Sequence, residues 1–542
     1  MRLVPTRRHL LQLAALGIAA APTYGFVPAL AATGDGSPLA SRNLFFRDPD
    51  RSSVRLSPDG RNIAWREPHD GVLNLVAAPV ENVSQSRQIT HAKDRSAGGF
   101  FIWAWTNKHI VFFDTVGDEN YRAYSVDIDT GATVALTPPD GVRSYVQQRA
   151  RRFPNEMLFG INARDRKLFD IVRVDITTGQ SQLSFQNPGF ERLYTATDFA
   201  VHFARRFLPN GSAEVLTWAS NGNWTTFMDI PAEDAFTTWL AGISADLRSA
   251  FLIDSRGRNT SALIEIDIAT RESRVLAEDP EVDIVAAVDD PSTNRPYAAV
   301  SIADRKRWHL IDPAYAFDLD HMRAAQGVGE MAIESESNEQ GRIVVLYYRS
   351  DAAGEFRIYH RAKQSFVPLF KTRSDLDVVA LRPMASVVIR ARDGVQLPGY
   401  LTLPTSAASG GPLVLLVHGG PYARDFWGFQ ETHQWLANRG YAVLSVNYRG
   451  STGFGKHFVN IADQGWGESM QDDLTDAAAW AVAQGHADPA RIGFFGASYG
   501  GYAALTAATK TPETFNCIID LFGPSNLVTE MQNKPCKDET SP

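Results

Sequence analysis

The sequence predicts an all-β propeller of about seven blades followed by an α/β domain. Three observations carry this prediction. A strand-and-turn unit recurs about every 46 residues through the middle of the chain, the pattern changes near residue 385 to alternating strands and helices, and a serine sits in a glycine-rich bend between a strand and a helix. The 542 residues allow three or four domains at about 150 residues each. A hydrophobic share of 44% and a charged share of 21% are those of a globular chain and exclude a mainly disordered or fibrous one. The net charge of −8 comes with no dense basic run, so nucleic acid is not an expected partner. Cys517 and Cys536 fall in no CxxC or Cys/His spacing, which leaves neither a disulfide framework nor a zinc site. No metal, nucleotide or phosphate motif appears, and no cofactor is expected.

Residues 1–31 read as an address. Thr6-Arg7-Arg8-His9 leads into the mostly apolar run Leu10 to Ala21, and Ala29-Leu30-Ala31 supplies the small residues a signal peptidase accepts. The pattern is that of a twin-arginine export signal. The run is too short to span a bilayer, which takes about 20 residues. The expectation is an exported protein, periplasmic or secreted, with no stable membrane insertion after cleavage.

Residues 40–382 carry the repeat. Val126-Asp127-Ile128-Asp129-Thr130-Gly131, Val174-Asp175-Ile176-Thr177-Thr178-Gly179 and Ile266-Asp267-Ile268-Ala269-Thr270-Arg271 are separated by 48 and 92 residues, about one and two periods. The period predicts a unit midway, at Phe227-Met228-Asp229-Ile230, and others at Leu73 to Ala77, Leu310-Ile311-Asp312 and Arg357-Ile358-Tyr359. Several short strands per unit of this length are the mark of a propeller, whose blades bury their faces only against neighbouring blades. Ser57-Pro58-Asp59-Gly60 followed by Arg61 to Trp65 reads as a turn and then an inward strand of the first blade.

Residues 383–542 form the second domain. Val387 to Arg390 and Leu397 to Leu403 read as paired strands, and Leu413 to Val417 and Ala442 to Val446 are apolar runs suited to buried parallel strands. Asp472 to Gln484 has helical periodicity. Strand Ile492 to Phe495, bend Gly496-Ala497-Ser498-Tyr499-Gly500-Gly501-Tyr502 and helix Ala503 to Ala508 then give the order strand, sharp turn, helix. A serine at such a turn projects its hydroxyl above the sheet edge, and small neighbours let the backbone turn without clash. Ser498 is thus the candidate nucleophile for acyl transfer. The N–H of Tyr499, at the helix start, lies where partial positive charge stabilises an oxyanion. His418-Gly419-Gly420-Pro421 follows directly on a buried strand, where such hydrolases place the second oxyanion donor, and the N–H of Gly420 is assigned to it. His418 itself reads as structural, because α/β-hydrolases run serine, acid, histidine along the chain.

His418 to Pro421, Asn447-Tyr448-Arg449-Gly450-Ser451-Thr452-Gly453-Phe454-Gly455, Asp472-Asp473 and Gly496 to Tyr502 together resemble the prolyl oligopeptidase family of serine peptidases, nearest to its acylaminoacyl-peptidases and dipeptidyl aminopeptidases. The resemblance implies a propeller of seven or eight blades capping the active site and admitting oligopeptides but not folded proteins. It implies Ser498 as nucleophile, the Tyr499 and Gly420 N–H groups as oxyanion hole, and a structural role for the Asn-Tyr-Arg-Gly stretch.

The chain departs from the family after Ser498. No histidine follows it, and the acids there are Glu513, Asp520, Glu530, Asp538 and Glu539. Asp520 closes the apolar run Cys517 to Leu521, one strand before the position the family's acid occupies. The expectation is an α/β-hydrolase domain incomplete at its C-terminus, from a truncated or frameshifted gene product. His457 is the one other imidazole weighed as a substitute base. The expected function is a serine-type peptidase acting on short peptides through an acyl-enzyme at Ser498, with the activity of this chain in doubt. A non-catalytic propeller binding module or pseudoenzyme fragment, and an esterase, are the alternatives. Glu334 and Glu336 read as a solvated acidic loop rather than a pair that holds a free amino terminus.

Overall fold

The computed structural model describes residues 39–533, except 116, 119, 140, 219–221, 340 and 406–409. The export signal read at 1–31 lies outside the described residues. No helix among the described residues is long and apolar enough to cross a membrane.

Seven antiparallel sheets follow one another along the chain, each with its strands paired in sequence order. Their first strands are Ser52–Leu56, Phe101–Trp103, Ser144–Arg149, Arg192–Thr195, Trp239–Ile243, Ile284–Asp289 and Glu330–Glu336. The first strand of the first blade packs against those of the second and the last, and those of the third and fourth pack against each other. Apolar clusters fill every gap between neighbouring blades, and the ring closes because Val54, Leu56 and Trp65 of the first blade share one with Val344, Phe356 and Ile358 of the last. Each blade is a two-faced sheet that cannot stay dry alone. Among the described residues no strand is exchanged between first and last blade; the seam carries Leu56 N–H on Ser335 Oγ at 3.0 Å and Asn338 N–H on the Pro58 carbonyl at 2.8 Å.

The recurring Asp has a local reason. In the third-to-fourth strand turns, Asp127, Asp175 and Asp267 each turn Oδ1 back to accept the N–H groups two and three residues on. This side-chain turn pins the hairpin, and the residue four on then takes positive φ, +74° at Gly131, +76° at Gly179 and +69° at Arg271. Leu73 to Ala77, Leu310 and Arg357 to Tyr359 fall on third strands as the period predicts. Phe227 to Ile230 does not. It lies on the outer strand Trp224–Ile230, while the third strand of that blade is Ala213–Trp218. The fourth blade thus runs ahead of the period, and the acid at 229 only resembles the motif. A second correction concerns the first blade, where Ser57 to Gly60 connects the innermost strand Ser52–Leu56 to the second strand Asn62–His69, so residues 61–65 are not innermost.

Glu334 and Glu336 are also corrected. Both lie in the innermost strand Glu330–Glu336 of the last blade, not in a solvated loop. Glu334 pairs with Arg55 at 3.0 Å, and Glu336 accepts from Tyr297 Oη at 3.1 Å. Burial pushes the Glu336 carboxyl up to about 7, against the opposing effect of the Tyr297 hydrogen bond and the Arg361 charge. A carboxyl raised on folding releases its proton later than the unfolded chain does, so its cost is absent below about pH 4.5 and complete above about pH 7. Glu336→Gln, which can still accept from Tyr297, is expected to stabilise the protein by on the order of 2 kcal/mol at pH 8 and to change nothing at pH 4. Thermal unfolding at the two pH values checks this.

The second domain is a six-stranded sheet in the spatial order Met384–Arg390, Gln396–Thr402, Ala442–Val446, Leu413–Val417, Ile492–Ala497, Cys517–Leu521. The first two strands form an antiparallel hairpin, and the strands from Ala442–Val446 onward run parallel. Helices Ser469–Ala483 and Tyr499–Lys510 bury Leu474, Ala477, Ala478, Ala503, Ala504 and Ala507 against it. Small alanines let the helices lie close to the sheet, which is why these segments read as helical and apolar on one side. The loops after Leu413–Val417 and Ala442–Val446, at the carboxyl edge of the parallel strands, face the propeller.

Candidate functional site

Ser498 follows strand Ile492–Ala497 and precedes helix Tyr499–Lys510, and it is exposed. Its backbone has φ +56° and ψ −120°, a region costly for a residue with a Cβ, on the order of 1–3 kcal/mol. The strain is held from both sides. Ser498 N–H donates to the Leu521 carbonyl at 3.0 Å, and the Ser498 carbonyl accepts from Tyr502 N–H at 3.0 Å. Although Ser498 occupies the cap position of the helix, its side chain makes no capping bond, so the hydroxyl is not spent on the helix.

The flanking glycines are required by contact. A Cβ on Gly496 would stand 2.0 Å from the Gly500 carbonyl oxygen, and one on Gly500 would stand 2.3 Å from that of Val417. Both obstacles are backbone, so no side chain can move aside. Gly500→Ala is expected to destabilise the domain by about 3 kcal/mol and to displace Ser498, which a urea unfolding curve would show as a lowered midpoint.

The loop His418-Gly419-Gly420-Pro421 packs directly on the serine. A Cβ on Gly419 would sit 3.1 Å from Ser498 Cβ and 3.7 Å from its Oγ. Gly420 is exposed, with φ +134°. Tyr499 is the first residue of its helix, where the N–H has no intrahelical acceptor. Its ring points the other way, into the core, against Trp466 and Tyr448.

His418 is buried and engaged. Its Nε2 lies 3.0 Å from Ser451 Oγ and its Nδ1 2.8 Å from the Gly419 carbonyl, and its ring stacks on Tyr448 at 4.4 Å. His457 lines a cavity of about 510 Å³ between the domains, together with Phe236, Asn259, Lys456, Asn460 and Asp463. Neither imidazole is hydrogen-bonded to Ser498. Asp520 lies one residue before the end of the strand beside the serine strand, and its Oδ1 accepts from Gly523 N–H at 2.8 Å. The Asn-Tyr-Arg-Gly stretch braces the same edge: Asn447 Oδ1 accepts from Asp425 N–H at 2.6 Å, Tyr448 Oη donates to the His418 carbonyl at 2.9 Å, and Arg449 clasps Asp473.

Sequence reasoning missed the residues that join the two domains. Asp283 of the propeller accepts from Gly455 N–H at 3.1 Å, and Lys456 pairs with Asp234 at 2.8 Å and Glu233 at 3.0 Å. The single propeller turn at residues 302–305 meets the hydrolase at every position. The carbonyls of Ile302, Ala303 and Asp304 accept from Arg424, Arg424 and Tyr400, and the Arg305 guanidinium lies 3.5 Å over Trp427. Arg424 lies next to the His-Gly-Gly-Pro motif and was findable there. Nothing in the sequence marks residues 302–305.

An exposed serine on a strained strand-to-helix bend, at the edge of a parallel sheet turned towards a seven-bladed ring, defines a propeller-bearing hydrolase of the serine class. The chain belongs to the prolyl oligopeptidase family, whose model matches residues 427–538. It is 39% identical over 510 residues to dipeptidyl aminopeptidase BIII of Pseudoxanthomonas mexicana, covering 92% of this chain and 74% of that protein. It is 28% identical to dipeptidyl peptidase family member 6 of Caenorhabditis elegans, covering 92% of this chain and 72% of that one. Among solved structures, a puromycin-hydrolyzing peptidase of Mycobacterium tuberculosis aligns over 92% of this chain and 81% of its own, with a TM-score of 0.68 at 17% identity, which bears on the fold.

Proposed function

We propose that the protein is a serine-type peptidase by design, cleaving short peptides by attack of Ser498 Oγ on the carbonyl carbon. The oxyanion that forms would be met by the N–H groups of Tyr499 and Gly420. The observation that carries this reading is the exposed, non-capping Ser498 on its strained bend with the glycine loop packed on it. The 39% identical relative is a dipeptidyl aminopeptidase, which favours peptides with a free amino terminus over the ester substrates of the alternative. The arginine pair at the start of the sequence favours export, testable by fractionating cells that express the full chain.

A second reading is a peptide-binding protein without turnover. It is favoured by the engagement of His418 with Ser451 and the place of His457 in the interdomain cavity, since attack by serine needs an acceptor within hydrogen-bond reach of its proton. Labelling with a fluorophosphonate, with and without added imidazole, separates the two. Modification confined to Ser498 and accelerated by imidazole supports the peptidase reading. A folded chain that stays unmodified in imidazole supports the binding one.

A further inference from the structure

We propose that the propeller positions the oxyanion loop, with Phe236 and the turn at residues 302–305 acting as positioning residues on the loop that carries Gly420. The inference rests on the assignment of Gly420 as an oxyanion donor. Two residues of the loop, Tyr422 and Arg424, reach the propeller, on either side of Ala423.

Tyr422 stacks on Phe236, with ring centroids 4.8 Å apart and planes 14° from parallel. Arg424 is 4% exposed, and its two terminal nitrogens donate to the Ile302 carbonyl at 2.7 Å and the Ala303 carbonyl at 2.8 Å. The guanidinium also lies 4.0 Å over Phe454. Space for it depends on Gly453, where a Cβ would stand 2.7 Å from Arg424 Nη1. The fork of a guanidinium fits two carbonyls of one turn in a way that an ammonium cannot.

The hydrolase holds the two ends of the loop, through Tyr448 Oη on the His418 carbonyl and Asp425 N–H on Asn447 Oδ1, and supports the span between them less. Within the hydrolase, Ala423 N–H reaches the Pro421 carbonyl at 2.7 Å, and the Ala423 carbonyl accepts from Thr452 N–H at 3.0 Å. The Gly420 N–H shares a peptide plane with the Gly419 carbonyl, which lies 2.8 Å from His418 Nδ1, and with a positive φ and no side chain to pack the other side of Gly420 is held only through the residues that follow it. Separation of the domains would return the Arg424 cation to water and part the two rings. The loop would then lose its outer supports, and the oxyanion donor with them. The propeller is in this way part of the anion site rather than a cover for it.

The test uses the full chain and reads hydrogen exchange of the amides of Ala423, Asp425 and Thr452, which are protected by the bonds described, beside those of Ala503 to Ala508 as an internal reference. Phe236→Ala and Tyr422→Ala are expected to accelerate exchange in the loop at least tenfold and to leave the reference helix unchanged, and Tyr422→Phe, which keeps the stack, to behave as the parent. Arg424→Lys, which keeps the cation but reaches one carbonyl instead of two, is the second route and is expected to accelerate the same amides. Affinity for a dipeptidyl boronate is expected to fall at least tenfold in Tyr422→Ala and to be restored in Tyr422→Phe. Unchanged loop exchange in Phe236→Ala, Tyr422→Ala and Arg424→Lys overturns the proposal, as does equal acceleration of loop and helix in all three. A boronate that fails to bind the parent counts against the Ser498 assignment, whereas the exchange result stands without it.

Discussion

Arg449→Met is expected to lower the unfolding free energy by about 3–5 kcal/mol, the cost of stranding one member of a buried ion pair. Asp473 is fully buried, and Arg449 reaches it three times: its backbone N–H and Nε both lie 2.9 Å from Oδ2, and Nη2 lies 2.6 Å from Oδ1. Asp393 takes the remaining nitrogen at 2.8 Å. Burial pushes the Asp473 carboxyl up while Arg449 pulls it down. Without the guanidinium only the backbone N–H of residue 449 still opposes burial, and the carboxyl takes up a proton on folding. The loss should therefore be smallest near pH 4, where the unfolded chain is also protonated, and grow towards pH 8. Urea unfolding at both pH values measures it. A midpoint that shifts equally at both would mean that packing of the side chain, not its charge, holds the loop. The same substitution removes the brace from the Asn447 to Gly455 loop and so from the propeller contact at Asp283.

The second large effect concerns turnover. Among the described residues no side chain is hydrogen-bonded to the Ser498 hydroxyl to take its proton, His418 being engaged with Ser451 and Gly419, and the described site is therefore expected to cleave a dipeptidyl amide at about one millionth of the rate that a serine paired with histidine reaches. What remains would come from binding and from the proposed oxyanion donors at Tyr499 and Gly420, about a thousandfold over water. Ser498→Ala should then reduce this residual rate less than tenfold, which is the diagnostic feature: in a complete triad the same change removes nearly everything. Steady-state rates with a chromogenic dipeptide, for the parent and Ser498→Ala, decide it. A fast parent silenced by Ser498→Ala would show that a base reaches Ser498 and would remove the grounds for the binding-protein reading.

Much of this molecule was legible in its sequence because local chemistry repeats there. The Asp whose Oδ1 closes each hairpin must stand at one place in the blade, so Asp127, Asp175 and Asp267 expose the period directly. The fourth blade ends its third strand at Trp218 without such an acid, and the period alone then pointed at the wrong strand. The bend at Ser498 was legible for a similar reason: close approach of the Gly500 and Val417 backbones excludes a Cβ at both flanking glycines. Glu336 shows the limit. Two glutamates among serines look solvated, and only the ring, which brings Tyr297 and Arg55 to them from distant segments, puts them in a strand. Tyr422 and Phe236, which stack on each other, are separated by nearly two hundred positions, and no local pattern could pair them.

The start of the described chain does not stay with the ring it introduces. Helix Arg42–Phe46 sits on the hydrolase, where Phe46 meets Trp435 edge to face and Ala40 exchanges hydrogen bonds with Asn438 and Arg439. Arg373, just past the last blade, reaches back to the Phe45 carbonyl and across to Glu431. Both free ends of the circle are thus sewn to the same helix of the other domain, near the one seam that no chain connection crosses. Cutting the polypeptide at the domain boundary would leave a necklace without its clasp. The first blade would be expected to be the one that frays, well before any of the other six.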